Sequence, residues 1–285
     1  MWMMGFLLCF QDSIQVDLVE RVSRVTLSLR VQDMRGKQPK LALGDVQLLE
    51  NGTALPINHL EQKSVPGNIM LLFDLSASQE SDLPKAIALA RGLIREKKNE
   101  DAISLAFFSG EYRCFQAFSQ DRAQLETALD QLQILGSSAL WDGMASALRD
   151  LVQRSGPKVL VVFSDGHDLL SHTKEAELAA LTRSLGVPIF FWRQAEKPYD
   201  HLLLRAQIEF LEELCRANGG AFLIGLQGRE LTRLVQDQFV RYEIAYEPPN
   251  PENTEMWRAI SIQIPTCSDC KMEYQRGFRL ADREM

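Results

Sequence analysis

Between residues 24 and 32 the chain alternates: Val25, Leu27, Leu29 and Val31 are apolar, while Arg24, Thr26, Ser28, Arg30 and Gln32 are polar. A period of two predicts a strand with one buried face and one wet face. A turn at Asp33-Met34-Arg35-Gly36 follows, and Asn51-Gly52, a dipeptide suited to a tight hairpin, separates 46–50 from 53–55. At Pro66-Gly67-Asn68 the pattern changes. Ile69-Met70-Leu71-Leu72-Phe73 is apolar on both faces, as a central parallel strand must be. Ile87, Ala90, Leu93 and Ile94 then fall on one helical stripe. The alternation repeats: strand 102–108, helices 122–132 and 141–152, strand 158–163, helix 174–185, strand 187–192, helix 207–217, a short strand near 221–224 and helix 229–238. Strand–helix alternation with doubly apolar strands predicts an α/β fold, a doubly wound and mostly parallel sheet.

Beyond residue 240 the period returns to two, with Val240, Tyr242, Ile244 and Tyr246 against Arg241, Glu243 and Glu247. Pro248-Pro249-Asn250-Pro251 breaks the run, Ile260, Ile262 and Ile264 make another strand, and Met272 and Tyr274 suggest a last one. Each β end alone has too few strands for a core. The economical arrangement is one small β-sandwich built from both termini, 14–65 and 240–285, with the α/β domain 66–239 inserted between them. Residues 1–13, apolar through Trp2, Phe6, Leu7, Leu8 and Phe10 with no Lys or Arg ahead of them, read either as the remnant of an export signal or as a first strand. The signal reading places the protein in the periplasm or outside the cell.

With 285 residues the chain has room for two domains, and 46% hydrophobic with 24% charged residues is ordinary globular composition. The net charge is −7 and no basic run occurs, which argues against nucleic acid as a partner. No stretch reaches the roughly 18–20 apolar residues of a transmembrane span. Cys9, Cys114 and Cys215 stand among apolar neighbours and read as core or near-core side chains. Cys267 and Cys270 form a C-x-x-C. A zinc site wants a second pair and a thioredoxin-like motif opens a helix; neither holds here, which leaves a turn disulfide or two inert thiols.

Asp74-Leu75-Ser76-Ala77-Ser78 follows the first doubly apolar strand, at the edge where open α/β sheets bind ligands. One carboxylate and two hydroxyls at alternate positions can converge from a single loop, and such oxygens are hard ligands suited to Mg2+ or Mn2+. Gly136-Ser137-Ser138-Ala139-Leu140-Trp141-Asp142 enters a helix at the same edge and offers another hydroxyl. Val159-Leu160-Val161-Val162-Phe163-Ser164-Asp165-Gly166 runs from an apolar strand into an Asp-Gly turn and offers a second carboxylate.

This order of features resembles the von Willebrand factor A fold and its metal-ion-dependent adhesion site, where D-x-S-x-S is followed by a Thr and then by an Asp at a later strand end. Position by position, Asp74, Ser76, Ser78 and Asp165 match. Ser138 stands where the family usually has Thr, which keeps the oxygen and loses a methyl that stiffens the rotamer. The flanks, Arg30 to Lys37 and Gly44 to Gly52 at one end, Tyr242 to Pro248 and Arg276-Gly277-Phe278 at the other, are similar to the bacterial "VWFA-related" family best populated in Acidobacteria. The resemblance implies a non-enzymatic, cation-dependent, adhesion-type module of the bacterial envelope or exterior. Asp74, Ser76, Ser78, Ser138 and Asp165 would hold Mg2+ or Mn2+, and a protein ligand would offer a carboxylate to the metal. The alternative is a structural scaffold whose metal site takes no ligand.

Singly, these residues have plainer roles. Asp74 and Ser76 can cap a helix and Asp165-Gly166 can be only a turn; their arrival at one sheet edge is what argues for a site. His167 and Asp168 follow on the same loop and read first as solvated; with Tyr199 and His201 of the segment Pro198-Tyr199-Asp200-His201 they are the candidate partner contacts. No catalytic residue and no small-molecule substrate are assigned. Haloacid-dehalogenase phosphatases carry an acid two residues after the first strand's Asp, and here that position is Ser76. No G-x-S-x-G elbow, G-x-G-x-x-G turn or P-loop follows any strand.

Overall fold

The computed structural model describes residues 16–19, 22–33, 38–194, 202–225 and 228–280. The opening segment 1–13, Tyr199 and His201 lie outside the described residues. The described elements begin with β1 (Val16–Val19), β2 (Val22–Gln32), β3 (Gln47–Glu50), β4 (Thr53–Leu55) and β5 (Ile57–Ser64). The hairpin of β3 and β4 turns on Asn51 and Gly52, both in the left-handed region at φ 49° and 83°, which Asn tolerates and Gly adopts freely. There follow β6 (Asn68–Asp74), α1 (Leu83–Glu96), β7 (Ala102–Phe108), β8 (Tyr112–Ser119), α2 (Arg122–Leu129), α3 (Leu140–Leu151) and β9 (Lys158–Phe163). Then come α4 (Glu175–Leu185), β10 (Ile189–Arg193), α5 (Leu202–Ala217), β11 (Ala221–Ile224) and α6 (Gly228–Asp237). The last strands are β12 (Val240–Tyr246), β13 (Arg258–Gln263), β14 (Lys271–Tyr274) and β15 (Gly277–Phe278). Two compact units result: residues 66–239, and the segments up to 65 and from 240 together.

In the 66–239 unit six strands stand in the order β11-β10-β9-β6-β7-β8. All neighbours are parallel except β7 and β8. Every residue of β6 is buried, because helices cover both faces of the sheet. Its side chains still alternate: Ile69, Leu71 and Phe73 pack in the core with α1, α2 and α6, while Met70 and Leu72 pack with α3, α4 and α5. From β6 the chain winds outward to β7 and β8, returns through α3 to β9, and winds the other way to β10 and β11. The crevice between the carboxyl ends of β6 and β9 is therefore the switch point of the sheet.

The fold class expected from the sequence is the one observed, with β8 added to the α/β sheet and β1, β5 and β15 added to the terminal strands. β8 was not signalled, because Tyr112-Arg113-Cys114-Phe115-Gln116 lacks the apolar run of a central strand. It is an antiparallel edge strand with no fully buried residue. Cys114 is consequently exposed and not a core residue, whereas Cys215 on α5 is fully buried.

In the terminal unit β12 lies between β2 and β5, antiparallel to both, and β14 also pairs with β2. A second sheet runs β15-β13-β3-β4. Val25, Leu27, Leu29 and Val31 share one core with Leu48, Ile260 and Ile262 of the second sheet, making a two-sheet sandwich. Cys267 and Cys270 form a disulfide.

This core also contains an ion pair. Arg258 Nη1 lies 2.6 Å from Glu50 Oε1, and the two side chains are 0% and 1% exposed. Tyr246 donates to Glu50 Oε2 at 2.7 Å, and Arg258 donates to the carbonyls of Pro249 and Asn250 at 2.8 Å each. Breaking a buried pair strands a desolvated charge. Arg258→Met should cost about 3–5 kcal/mol of unfolding free energy in denaturant titrations. An unchanged midpoint would show that water reaches Glu50.

Candidate metal centre

The register of β6 on β9 places Phe73 opposite Phe163, so the next residues, Asp74 and Ser164, leave the sheet side by side. Ser164 Oγ donates to Asp74 Oδ2 at 2.7 Å, and the backbone N–H of Ser76 donates to Oδ1 at 2.9 Å. Asp74 is thus fixed by both oxygens at 1% exposure. Ser76 forms a parallel bridge with Gly136, and Ala77 N donates to Gly136 O at 2.6 Å, which fastens the loop bearing Ser138 to the loop bearing the two serines. Ser138, 3% exposed, donates its hydroxyl to His167 O at 2.8 Å, while its own carbonyl accepts the N–H groups of Leu169 and Leu170. Three loops from three places in the chain are therefore joined by hydrogen bonds at the switch point.

Asp165 opens the third loop. Its Oδ1 accepts the N–H of His167 at 3.1 Å, and its carbonyl accepts Arg193 Nε at 3.0 Å. Its other carboxylate oxygen receives no hydrogen bond among the described residues. Gly166, at φ 86°, makes the turn; a Cβ there would lie 2.4 Å from Ile208 Cδ1. Burial pushes the Asp74 carboxyl up to about 6 from 3.8; bonds from Ser164 and Ser76 oppose the shift, and the negative charge of Asp165 adds to it.

These oxygens fit a small hard cation. The two carboxylates lie near enough for the charge of Asp165 to raise the Asp74 carboxyl. Ser138 gives its proton to His167 O, so its oxygen keeps its lone pairs for a cation. An octahedral ion with metal–oxygen distances of about 2.1 Å sets adjacent ligands about 3.0 Å apart. The hydroxyl oxygens of Ser76 and Ser78 are 3.1 Å apart. Ser78 is exposed and Ser76 buried, so this pair spans the mouth of the site.

His167 and Asp168 are half-buried. Asp168 turns its carboxylate onto the N–H of Trp141 at the start of α3 and onto Ser171 Oγ, which positions the loop. Gln207 holds the same residue from α5, accepting from its N–H at 3.3 Å and donating to its carbonyl at 3.0 Å. Ser164, Arg193 and Gln207 were not singled out from the sequence. A lone hydroxyl closing the apolar run 159–163 was the available signal for Ser164; the other two are brought in by the fold alone. In the terminal unit His59, Glu61 and Glu243 also place ligand atoms within 4.8 Å of one another. Lys63 Nζ lies 2.8 Å from Glu243 and 3.4 Å from Glu61, so those acids already have a cation.

Residues 69–167 match the family model of the von Willebrand factor type A domain. The chain therefore carries a von Willebrand factor A-type domain. A solved structure described as von Willebrand factor type A from Catenulispora acidiphila shares the fold over 91% of this chain and 74% of its own, at 12% identity and TM-score 0.51. An aerotolerance-related membrane protein of Bacteroides fragilis aligns over 60% of this chain and 98% of its own, at 17% identity and TM-score 0.47. The PilB minor pilin of Streptococcus sanguinis aligns over 62% and 63%, at 13% identity and TM-score 0.48. No curated protein matches the chain.

Two expectations follow. The first concerns protons. The raised pKa means that folding binds a proton at Asp74, so its contribution to stability is present below pH 3.8 and is lost as pH rises through about 6. A cation there must expel that proton, so Mn2+ affinity should fall about tenfold per pH unit below pH 6. Calorimetric titrations in buffers of different ionisation enthalpy should count the proton; a flat profile from pH 7 to 5 would remove Asp74 from the site. The second concerns Ser138. Ser138→Thr should preserve Mn2+ affinity or tighten it by up to about 1 kcal/mol, Ser138→Ala should weaken it, and Ser137→Ala should do little. Equal effects of the two alanine variants would take the Ser138 hydroxyl out of the centre.

Proposed function

We propose that this chain is a non-enzymatic, divalent-cation-dependent protein-binding module, holding Mg2+ or Mn2+ through Asp74, Ser76, Ser78, Ser138 and Asp165. The observation that carries the reading is the joining, by hydrogen bonds at one switch point, of three loops that bear two carboxylates and three hydroxyls, with one Asp165 carboxylate oxygen accepting no hydrogen bond among the described residues. When bound, the cation supplies a Lewis-acid position for a carboxylate oxygen of a partner protein. Asp74 and Ser164 set the depth of that position, Ser76 and Ser78 border its mouth, and Ser138 closes it from the third loop. The Cys267–Cys270 disulfide supports an oxidising compartment, hence export to the periplasm or beyond. The segments Tyr242 to Pro248 and Arg276-Gly277-Phe278 support membership of the bacterial "VWFA-related" group.

A ligand bound only by the folded state stabilises it, by about 2.7 kcal/mol at a hundredfold excess over Kd. Wild-type chain should melt higher in saturating Mg2+ or Mn2+ than in EDTA, and Asp74→Ala should melt identically in both. Wild-type melts that coincide would rule out a bound cation.

A further inference from the structure

Among the described residues of the 66–239 unit, six large apolar side chains are exposed, and all six stand at the carboxyl edge of the parallel strands. Leu135 precedes the loop that carries Ser138, Leu169 and Leu170 follow Asp168, Leu202 and Leu203 open α5 beyond β10, and Ile224 ends β11. Exposed leucines scattered singly over a surface need no explanation, but apolar side chains gathered at one site mark an interaction face. Hydrogen bonds hold several of them against the candidate centre. Leu135 N donates to Leu75 O at 2.8 Å, and Leu169 and Leu170 both donate to the carbonyl of Ser138. Leu203 lies one helical turn before Gln207, whose side chain grips the backbone of Asp168.

The charge at this edge has a definite pattern. Residues 75–79, 131–141 and 169–171 contain no charged side chain. Among the described residues, the charges these loops border are those of Asp74, Asp165 and Asp168, the last turned onto the Trp141 N–H and Ser171 Oγ, with buried Arg193 on the carbonyl of Asp165. A partner suited to such a face brings one acid for the cation position and apolar side chains around it. Extra charge in the partner would be desolvated against leucine without a counter-ion.

We propose that this edge docks a protein segment presenting a single carboxylate flanked by apolar side chains, with Leu169, Leu170 and Leu203 selecting the flanks. The inference rests on the cation-dependent reading above and names the partner chemistry of that same site. The leucines extend the site from a metal position, which any accessible carboxylate could reach, to a surface that discriminates among acidic segments. A second copy of the chain is the rival occupant.

The test uses the full chain in Mn2+ and three fluorescein-labelled heptapeptides, followed by anisotropy: glutamate flanked by leucines, glutamate flanked by serines, and glutamine flanked by leucines. The leucine-flanked acidic peptide should bind about tenfold or more tighter than the serine-flanked one, a gain within reach of one buried leucine. A double variant, Leu170→Ser with Leu203→Ser, should cut that advantage to below about threefold. The same variant should leave Mn2+ affinity and the preference for glutamate over glutamine in place. Equal binding of the two acidic peptides to wild type, an advantage that survives in the variant, or no binding of the leucine peptide at millimolar concentration would overturn the proposal. So would a Mn2+-independent dimer that the double variant dissolves without changing peptide preference. Loss of the glutamate preference and of any EDTA effect in wild type would instead sink the cation-dependent reading, and this inference with it.

Discussion

β6 and β9 run parallel and in register through Phe73 and Phe163, so Asp74 and Ser164 leave the sheet as neighbours and the crevice between them opens where the winding reverses. Everything at the candidate centre depends on that pairing. Ser164 gives its proton to Asp74, the turn of Asp165-Gly166 starts one residue later, and the loop of Ser138 is tied down through Gly136 to Ser76 and through His167 to the β9 side. A register slip of one residue would exchange the two faces of β6, sending Phe73 toward the wrong helical layer and Asp74 out of reach of Ser164.

The same pairing creates an electrostatic burden. Asp74 is desolvated and feels the charge of Asp165, and its carboxyl is held well above its ordinary range. The hydrogen bonds from Ser76 and Ser164 offset part of this and do not remove it. The surrounding sheet is what makes the arrangement tolerable. A core on each face, built from α1, α2 and α6 on one side and from α3, α4 and α5 on the other, supplies the stability that a desolvated polar site draws upon. A cation at the centre would relieve the repulsion, which couples occupancy of the site to stability of the domain.

The terminal unit solves a different problem. Neither end of the chain has enough strands to close a core, and β12 between β2 and β5 makes each end complete the other. Its buried Arg258–Glu50 pair links a residue of one end to a residue of the other. The pair makes correct assembly of the two ends a condition for satisfying both charges, since either side chain alone would be a desolvated ion.

Local pattern was enough for most of the architecture. Period-two alternation marked β2, β12 and β13, the doubly apolar runs marked β6, β7 and β9, and Asn51-Gly52 marked a hairpin. The order of Asp74, Ser76, Ser78, Ser138 and Asp165 along the chain was also legible, because each sits next to an element boundary that composition announces. The edge strand β8 was not, since an edge strand needs no apolar run and its polar residues look like loop. The roles of Ser164, Gln207 and Arg193 were not legible either. Each acts across a sequence separation of tens of residues, on a carboxylate or backbone group that only the sheet order brings near. The convergence of six exposed apolar side chains on one edge was hidden for the same reason: a sequence records that leucines occur, and exposure is a property of what packs against them. The sequence by itself determined the strand and helix periods, the fold class and the chemistry of the ligating side chains, because these depend on a residue and its near neighbours. Register, burial and the meeting of three loops were decided by tertiary structure, because they depend on which strands pair.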